Sequence, residues 1–293
     1  MVNRTMKPGY VPLPGDSSSC QAHAALVIAH PGHELVVHGW LEQARPYIYV
    51  LTDGSGQTNQ SRLEATTRIL SQTGAKRGSI YGRFTDRAAY EALLNHDFGV
   101  FIKLAEELAE TFVAKQIDYV AGDAVEGYNP MHDVCRLIIN TAVRIANQSG
   151  LHHLKNLEFP IIAPGSLSHA PCPGGICIEL HEDAFARKLA AAQGYVELVD
   201  EVHAALTETP VEAFRVECLH EVNDQNEKMF GYEGPPFYER HGKKRVAAGQ
   251  YQQVIRYTEH IAPLHVVLDR AADSVSLNGR RQSRPRSGRA ARA

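Results

Sequence analysis

Two short segments of this 293-residue chain concentrate side chains that bind metal ions or move protons. The first reads His-Pro-Gly-His-Glu over residues 30–34, and the second, residues 123–133, holds three acids, a tyrosine and a histidine. Neutral imidazoles suit zinc, and a catalytic zinc takes three protein ligands and leaves a fourth position open for water. The types and order of these residues therefore make His30, His33 and His132 a candidate zinc site.

Spacing alone does not establish this site. The chain has 15 histidines, and most of them must be structural or exposed. His33 and His38 lie five residues apart, so they do not form the zincin motif, which needs histidines four apart on one helical face. The alternative is that the three histidines are polar residues with no metal to bind.

Both segments follow stretches that have the composition of buried strands. Ala24 to Ala29 is a continuous apolar run, as in a strand covered on both faces of a parallel sheet. Further strands are predicted at 47–52, 117–121 and 159–163, and helices at 34–44, 61–74, 98–112, 129–147, 182–207 and 247–257. The second of these helices would begin with a capping box, Ser61 to Glu64, and the fourth with Asn129-Pro130.

Strands that alternate with helices predict an α/β fold, a Rossmann-like, mostly parallel sheet with helices on both faces. Ligands of such sheets bind at the carboxyl ends of the strands. Since residues 30–34 and 123–133 each follow a strand, we expect them to meet at one edge. Residues 221–245 are polar and turn-rich, and are expected to form a loop near that site.

The rest of the chain is expected to be simple in organisation. Residues 1–20 are an irregular lead-in, 21–270 one domain, and 271–293 a disordered basic tail. The net charge is −3, and six arginines in the last 14 residues leave −9 for residues 1–279, which does not favour nucleic-acid binding. Without a membrane-length apolar run or a secretory signal, the protein is expected to be cytoplasmic, with no membrane partner. An odd number of irregularly spaced cysteines predicts reduced thiols.

Two motifs resemble those of a known family. Residues 25–34, Ala-Leu-Val-Ile-Ala-His-Pro-Gly-His-Glu, resemble the AHPDDE motif of the PIG-L/LmbE-like zinc deacetylases. Residues 129–133, Asn-Pro-Met-His-Asp, resemble their HPDH motif, and the likeness covers about residues 24–145. The resemblance implies an LmbE-like fold and a Zn²⁺ ion bound by His30, His33 and His132, with His33 in place of the family's aspartate ligand.

One departure from the family concerns the general base. The aspartate that takes the proton in the family corresponds here to Gly32, which has no side chain to do so. Glu126 is the first candidate to replace it, followed by Asp123 and Glu34, and an aspartate restored at position 32 is expected to add little or to clash. Tyr128 is expected to hold the developing oxyanion.

The resemblance implies a zinc-dependent hydrolase, an N-deacetylase of a small N-acyl compound such as an acetylated amino sugar or a natural-product intermediate. The alternative is a non-catalytic metal- or sugar-binding relative that has lost its base, which Gly32 favours. A third interpretation is a Rossmann-like nucleotide binder or methyltransferase without metal. Gly54-Ser-Gly56 lacks the third glycine of a phosphate loop, which argues against a dinucleotide role.

Overall fold

One seven-stranded sheet carries the segments that hold the candidate site. The computed structural model describes residues 22–56, 58–150, 153–162, 172–222 and 234–282, with side chains up to residue 275. Within these residues the strand order is β3-β2-β1-β4-β5-β7-β6. The strands are β1 (Ala24–Ile28), β2 (Tyr47–Thr52), β3 (Lys76–Phe84), β4 (Tyr119–Asp123), β5 (Lys155–Phe159), β6 (Ile176–Glu179) and β7 (Val216–Glu221).

The sheet is parallel from β3 to β5 and antiparallel at the β7 and β6 edge. The strand order reverses between β1 and β4. After β1 the chain adds β2 and β3 on one side, and it then crosses to add β4 on the other side of β1. Ligands of open α/β sheets bind at the carboxyl end of such a switch point. Residues 30–34 follow β1 and residues 124–132 follow β4, so both chemical segments lie at this switch point.

Helices cover both faces of the sheet, which confirms the predicted fold class. One face packs on helices that contribute residues such as Phe101, Ile138 and Leu264, and the other on helices that contribute Trp40 and Ile69. The helices are α1 (His38–Ala44), α2 (Leu63–Thr73), α3 (Asp86–Leu94), α4 (Gly99–Ala114), α5 (Pro130–Gln148), α6 (Glu182–Gln193), α7 (Val199–Glu208), α8 (Phe237–Ala247) and α9 (Ala262–Gln282). In the described part of the chain, no helix is long and apolar enough to cross a membrane.

Several predicted elements are displaced or divided. Strand β5 ends at Phe159, where the sequence suggested a strand over 159–163. The helix predicted over 182–207 stops at Gly194 and resumes at Val199. Of the predicted loop 221–245, residues 223–233 lie outside the described residues, and 237–245 belong to α8. Residues 248–256 are not helical, because α8 ends at Ala247.

The predicted capping box does not form. Helix α2 begins at Leu63, and its N-cap residue, Arg62, makes no side-chain cap hydrogen bond. Ser61 Oγ instead accepts the Leu63 N–H, two residues along, at 3.3 Å. By contrast, the N-cap predicted for α5 is confirmed, since Asn129 Oδ1 accepts the Met131 N–H at 2.8 Å.

The C-terminal boundary lies further along the chain than expected. Helix α9 runs to Gln282, so residues 271–282 are helical rather than part of a tail, and Ala272 is fully buried in the core. Arg144 on α5 pairs with Asp269 and Asp273 on α9 at 2.8 and 2.7 Å, which ties the two helices together. The lead-in 1–20 and the remaining tail, 283–293, lie outside the described residues.

The prediction that the cysteines are reduced thiols is wrong for one pair. Cys177 on β6 and Cys218 on β7 form a disulfide, and they are direct partners in the antiparallel register of the two strands. Cys135 and Cys172 are free. A separation of 41 residues hides this pairing from the sequence, because it depends on an edge pairing of strands that was not predicted.

Candidate metal centre and active site

Three histidine rings meet at the switch point. His30 follows β1, His33 begins a 3-10 turn (His33–Val37), and His132 lies in the first turn of α5. The ring centroids lie 5.4 Å apart for His30 and His33, 5.5 Å for His30 and His132, and 4.5 Å for His33 and His132. The fold thus brings His132 next to two histidines that are about a hundred residues away in sequence.

The spacing of the rings resembles that of a zinc site, although the nitrogens are not yet arranged as ligands. With zinc–nitrogen bonds of about 2.1 Å and near-tetrahedral angles, two ligating imidazoles have centroids about 5 Å apart. Yet no group of three His, Cys, Asp or Glu side chains, among the residues described, is placed to hold a metal ion. Binding would therefore require the rings to turn.

His30 is held through its Nδ1 by a threonine and a carboxylate. Its Nδ1 lies 2.8 Å from Thr52 Oγ1 and 3.1 Å from Asp86 Oδ1, and Thr52 donates its own proton to the Ala29 carbonyl. Nδ1 therefore carries the proton, and Nε2 keeps its lone pair. That Nε2 is buried without a hydrogen-bond partner, as expected of a nitrogen that could bind a metal.

Asp86 remains ionised in this position. Burial opposes its charge, but the hydrogen bonds that it accepts from His30 Nδ1 and from the backbone of Gly56 outweigh burial and hold the pKa of the carboxyl well below its usual range. The other oxygen of Asp86 accepts the Gly56 N–H at 2.7 Å. Sequence reasoning missed Asp86, because it follows β3, a strand that was not predicted either.

His33 is held in the same way by Asp123. Both oxygens of Asp123 lie 3.0 Å from His33 Nδ1, and one also accepts the Ala29 N–H at 2.8 Å. Burial lowers the pKa of His33 despite the carboxylate beside it, so the ring is neutral at pH 7 and Nε2 is available as a donor to a metal. Asp123 is completely buried beneath the ring.

The imidazole of His132 is buried, as that of His30 is. Its Nδ1 has no hydrogen-bond partner, and burial lowers the pKa of the ring well below its usual value. The Asn129 cap fixes the start of α5 and so the position of His132; Asn129 Oδ1 also accepts the hydroxyl of Tyr90 at 3.2 Å. The orphaned nitrogens of His30 and His132, with the remaining Nε2 of His33, form a donor set that fits zinc.

Gly32 occupies a backbone conformation that other residues rarely adopt, with φ at 108°. Glu34 stabilises this turn, because its Oε2 accepts the Gly32 N–H at 2.7 Å. The carboxyl of Glu34 is completely buried, and burial raises its pKa. A Cβ at position 32 would overlap the side chain of Leu198, which follows α6, so an aspartate there would clash, as expected.

Glu126 binds a neighbouring loop with both of its oxygens. Oε2 accepts the Ile161 N–H at 2.9 Å, and Oε1 accepts the Ile162 N–H at 3.0 Å. Burial raises the pKa of this carboxyl to about 7, more than the two backbone hydrogen bonds lower it. Glu126 therefore anchors the segment that follows β5 at the carboxyl edge of the sheet.

Tyr128 lies on the surface and stacks on an aromatic residue that the sequence analysis did not single out. Its ring is 44% exposed and lies parallel to that of Phe237, with centroids 4.8 Å apart. The Tyr238 N–H donates to the Gly127 carbonyl at 3.2 Å, which joins the start of α8 to the loop before His132. Phe237 escaped notice because the aromatic residues of this polar segment do not recur at a regular helical or strand spacing.

Comparison with known proteins gives structural matches only. No protein-family model and no curated protein matches the chain. A deacetylase of the teicoplanin biosynthesis pathway is similar over 69% of this chain and 99% of its own, with 13% identity and a TM-score of 0.48. The A40926 pseudoaglycone deacetylase Dbv21 is similar over 78% of this chain and 93% of its own, with 17% identity and a TM-score of 0.44. The conserved protein TT1542 from Thermus thermophilus is similar over 69% of this chain and 95% of its own, with 16% identity and a TM-score of 0.46.

Proposed function

We propose that this chain is a zinc-dependent hydrolase, an N-deacetylase of a small N-acyl compound such as an acetylated amino sugar or a natural-product intermediate. The observation that carries the proposal is the meeting of three imidazoles, two buried and one partly buried, of which His30 and His33 are held through Nδ1 by buried carboxylates. A carboxylate behind a histidine is the usual outer shell of a metal site. The choice of an N-acyl substrate rests on the resemblance of residues 25–34 and 129–133 to deacetylase motifs.

The ligands in this proposal are His30 and His33 through Nε2 and His132 through Nδ1. Among the described residues, His30 Nε2 and His132 Nδ1 have no hydrogen-bond partner, and Asp123 contacts His33 through the other nitrogen, Nδ1. Bound there, zinc would polarise the acyl carbonyl and lower the pKa of water. Asp86 and Asp123 fix the tautomers of His30 and His33. Because both oxygens of Asp123 already contact His33, we assign Asp123 to positioning rather than to proton transfer.

Proton transfer is assigned to Glu126. Each of its oxygens accepts one backbone N–H and so retains a lone pair that can accept a proton from the attacking water. A pKa raised to about 7 suits a group that must take up a proton and then give it to the leaving nitrogen. Tyr128 would donate its hydroxyl proton to the oxygen that becomes negative, and Glu34 would hold the Gly32 turn.

Metal content tests the ligands. Purified protein should hold about one zinc per chain, and His30→Ala, His33→Ala and His132→Ala should each lose most of it, since two ligands rarely hold zinc. His153→Ala changes an exposed histidine outside the site and serves as the control. Inductively coupled plasma mass spectrometry gives the ratio, and full zinc retention in all three variants would end the assignment.

Activity tests the proton-transfer role. Glu126→Gln should keep its zinc but lower kcat at least about a hundredfold, in line with the usual worth of general acid–base catalysis. Tyr128→Phe keeps the ring stack and removes only the hydroxyl, so it separates the proposed oxyanion role from a packing role. An unimpaired Glu126→Gln enzyme would show that another group takes the proton.

A second candidate is a metal- or sugar-binding relative without catalysis. The observation that favours it is Leu198, an apolar side chain that lies against the position of a Cβ at residue 32, where the family has an acid. Zinc-loaded protein that is inert toward a broad panel of N-acyl sugars, yet binds them, would favour this alternative. Protein that takes up no zinc would instead favour the metal-free nucleotide-binding interpretation.

A further inference from the structure

An aromatic stack lies beside the candidate metal centre. We use this name for Tyr128, Phe237 and His241: the Phe237 ring lies 4.8 Å from that of Tyr128 and 5.6 Å from that of His241, with interplanar angles of 4° and 25°. Tyr128 and Phe237 are 44% and 42% exposed. Large aromatic side chains left this open to solvent, and ordered by stacking, are typical of surfaces that bind rings.

Two cations share the helix face of the stack. Phe237, Arg240, His241 and Lys244 are spaced i, i+3, i+4 and i+7 along α8, which places them on one side of the helix. Arg240 and Lys244 are both exposed. Lys243 differs from them, because it forms an ion pair with Glu239 at 2.8 Å.

The charge of α8 contrasts with that of the chain. The helix contains four cations and one carboxylate, a net charge of +3, in a chain whose net charge is −3. A local positive surface on an acidic protein attracts anions and orients them as they approach. The surface of α8 therefore combines aromatic faces with positive charge.

The stack is within reach of the candidate metal centre. Tyr128 precedes His132 by four residues, so their Cα atoms are at most about 14 Å apart. The hydrogen bond from Tyr238 N–H to the Gly127 carbonyl, 3.2 Å long, keeps α8 next to this loop. A ligand of two or three rings spans such a distance.

We propose that this surface binds an anionic glycan, in which a pyranose ring stacks on the aromatic face and a carboxylate or phosphate on the sugar contacts Arg240 and Lys244. The electron-rich face of an aromatic ring attracts the polarised C–H groups of a sugar, and guanidinium and ammonium groups bind both kinds of anion. The inference rests on the proposed function in one respect: the N-acyl group on the same glycan is the one that the metal centre would process.

Binding without turnover is the test. Isothermal titration calorimetry is run on full-length protein in a chelator, so that hydrolysis cannot occur. The probes are a hyaluronan tetrasaccharide, which carries carboxylates, N-acetylglucosamine 6-phosphate, neutral chitotetraose, and phenyl phosphate, which has an anion and a ring but no sugar. We expect at least one anionic sugar to bind tenfold or more tightly than chitotetraose and phenyl phosphate, and its affinity to fall as salt rises.

Variants locate the binding surface. Phe237→Ala and Lys244→Ala should each weaken the anionic sugar at least tenfold, and Lys243→Ala, whose cation is already paired, should leave it unchanged. Phe237→Leu removes the aromatic face but retains an apolar side chain, and it serves if Phe237→Ala does not fold. The two anionic sugars distinguish a carboxylate from a phosphate ligand.

Several outcomes would overturn the inference: no binding of either anionic sugar at millimolar concentration, equal affinity for chitotetraose or for phenyl phosphate, or an equal loss in Lys243→Ala. A separate assay of deacetylation in zinc distinguishes the two proposals. Binding as expected without deacetylation would leave this inference standing and remove the proposed function. Deacetylation of neutral substrates without anionic binding would do the reverse.

Discussion

His30 and His33, which follow β1, each have a carboxylate at Nδ1, and this arrangement decides which of their nitrogens can bind a metal or accept a proton. Asp86 and Asp123 bind the Nδ1 atoms of His30 and His33, so the opposite nitrogens keep their lone pairs. Such fixed tautomers favour metal binding over proton shuttling, since neither ring is free to exchange its Nδ1 proton. The proposed base is therefore a residue other than His30 and His33.

The Gly32 turn is expected to tolerate no side chain. Gly32→Ala should lower the free energy of unfolding by at least about 1 kcal/mol, because φ is 108° and the new Cβ would overlap Leu198. Urea denaturation measures the loss. In the double variant with Leu198→Ala the overlap should be relieved. The free energy of unfolding should then fall by less than the sum of the decreases in the two single variants. Strict additivity would mean that Leu198 does not limit position 32.

Glu126 should make stability depend on pH. The pKa of its carboxyl is raised from 4.5 to about 7 by burial, so the folded state holds the proton more tightly than the unfolded chain does. The stabilisation is complete below pH 4.5 and is lost as pH rises through 7. Thermal unfolding of the wild type and of Glu126→Gln between about pH 4.5 and 8 checks this.

Other groups titrate in the same range, and the difference between the two proteins is therefore the quantity to compare. The pKa values of His33 and His132 are lowered in the folded state. These two residues therefore make the stability of the wild type and of the variant rise with pH, opposite to the effect of Glu126. The wild type should lose stability relative to Glu126→Gln as pH rises from about 5 to 7. A difference that does not change with pH would mean that Glu126 titrates normally.

Among the helices and strands, the sequence predicted best those whose own residues show a clear pattern. The buried apolar runs of β1 and β2 and the Asn129-Pro130 start of α5 were each recognisable locally, and they place all three histidines. Strand β3 has a mixed and largely exposed pattern, and Asp86, which follows it, was missed for that reason. Strands β6 and β7 are short edge strands whose pairing depends on tertiary contacts.

The start of α1 depends on one distant carboxylate. Glu217 on β7 accepts the N–H groups of Gly39 and Trp40 at 2.9 and 2.7 Å, and its Oε1 also accepts a hydrogen bond from Lys188 Nζ at 2.9 Å. Both charged groups are buried. A negative charge at a helix N-terminus is favourable, and here it also neutralises a buried ammonium group. The cap thereby fixes the helix that continues from the His33 turn.

Glu217→Gln should therefore destabilise the protein by about 3 kcal/mol, because it leaves the Lys188 ammonium buried without a counter-charge. Chemical denaturation provides the measurement. Glu42→Gln is the matched control: Glu42 pairs with the exposed Arg187 at 2.6 Å, and the loss of a surface pair should cost less than about 1 kcal/mol. Equal losses in the two variants would contradict the assigned role of Glu217.

For the molecule as a whole, the sequence predicted the layered α/β architecture but not where it ends. Alternating strands and helices are a property of the entire chain and survive errors in single boundaries, as at β5. The C-terminal boundary could not be predicted, because residues 262–282 are only weakly amphipathic and merge with the arginine-rich end. What holds this helix is tertiary: Leu264, Leu268 and Ala272 are fully buried against the sheet-covering helices.

Two truncations test this boundary. Deletion of residues 283–293 should leave the Tm nearly unchanged, because that segment has no apolar residue larger than alanine to bury. Deletion of 271–293 should lower the Tm by several degrees, since it removes Ala272 from the core and the Asp273 partner of Arg144. A loss of about 2 kcal/mol corresponds to a shift of roughly 4–8 °C in a domain of this size. Differential scanning calorimetry compares both with the full chain, and an unchanged Tm in the longer deletion would show that the domain ends before residue 271.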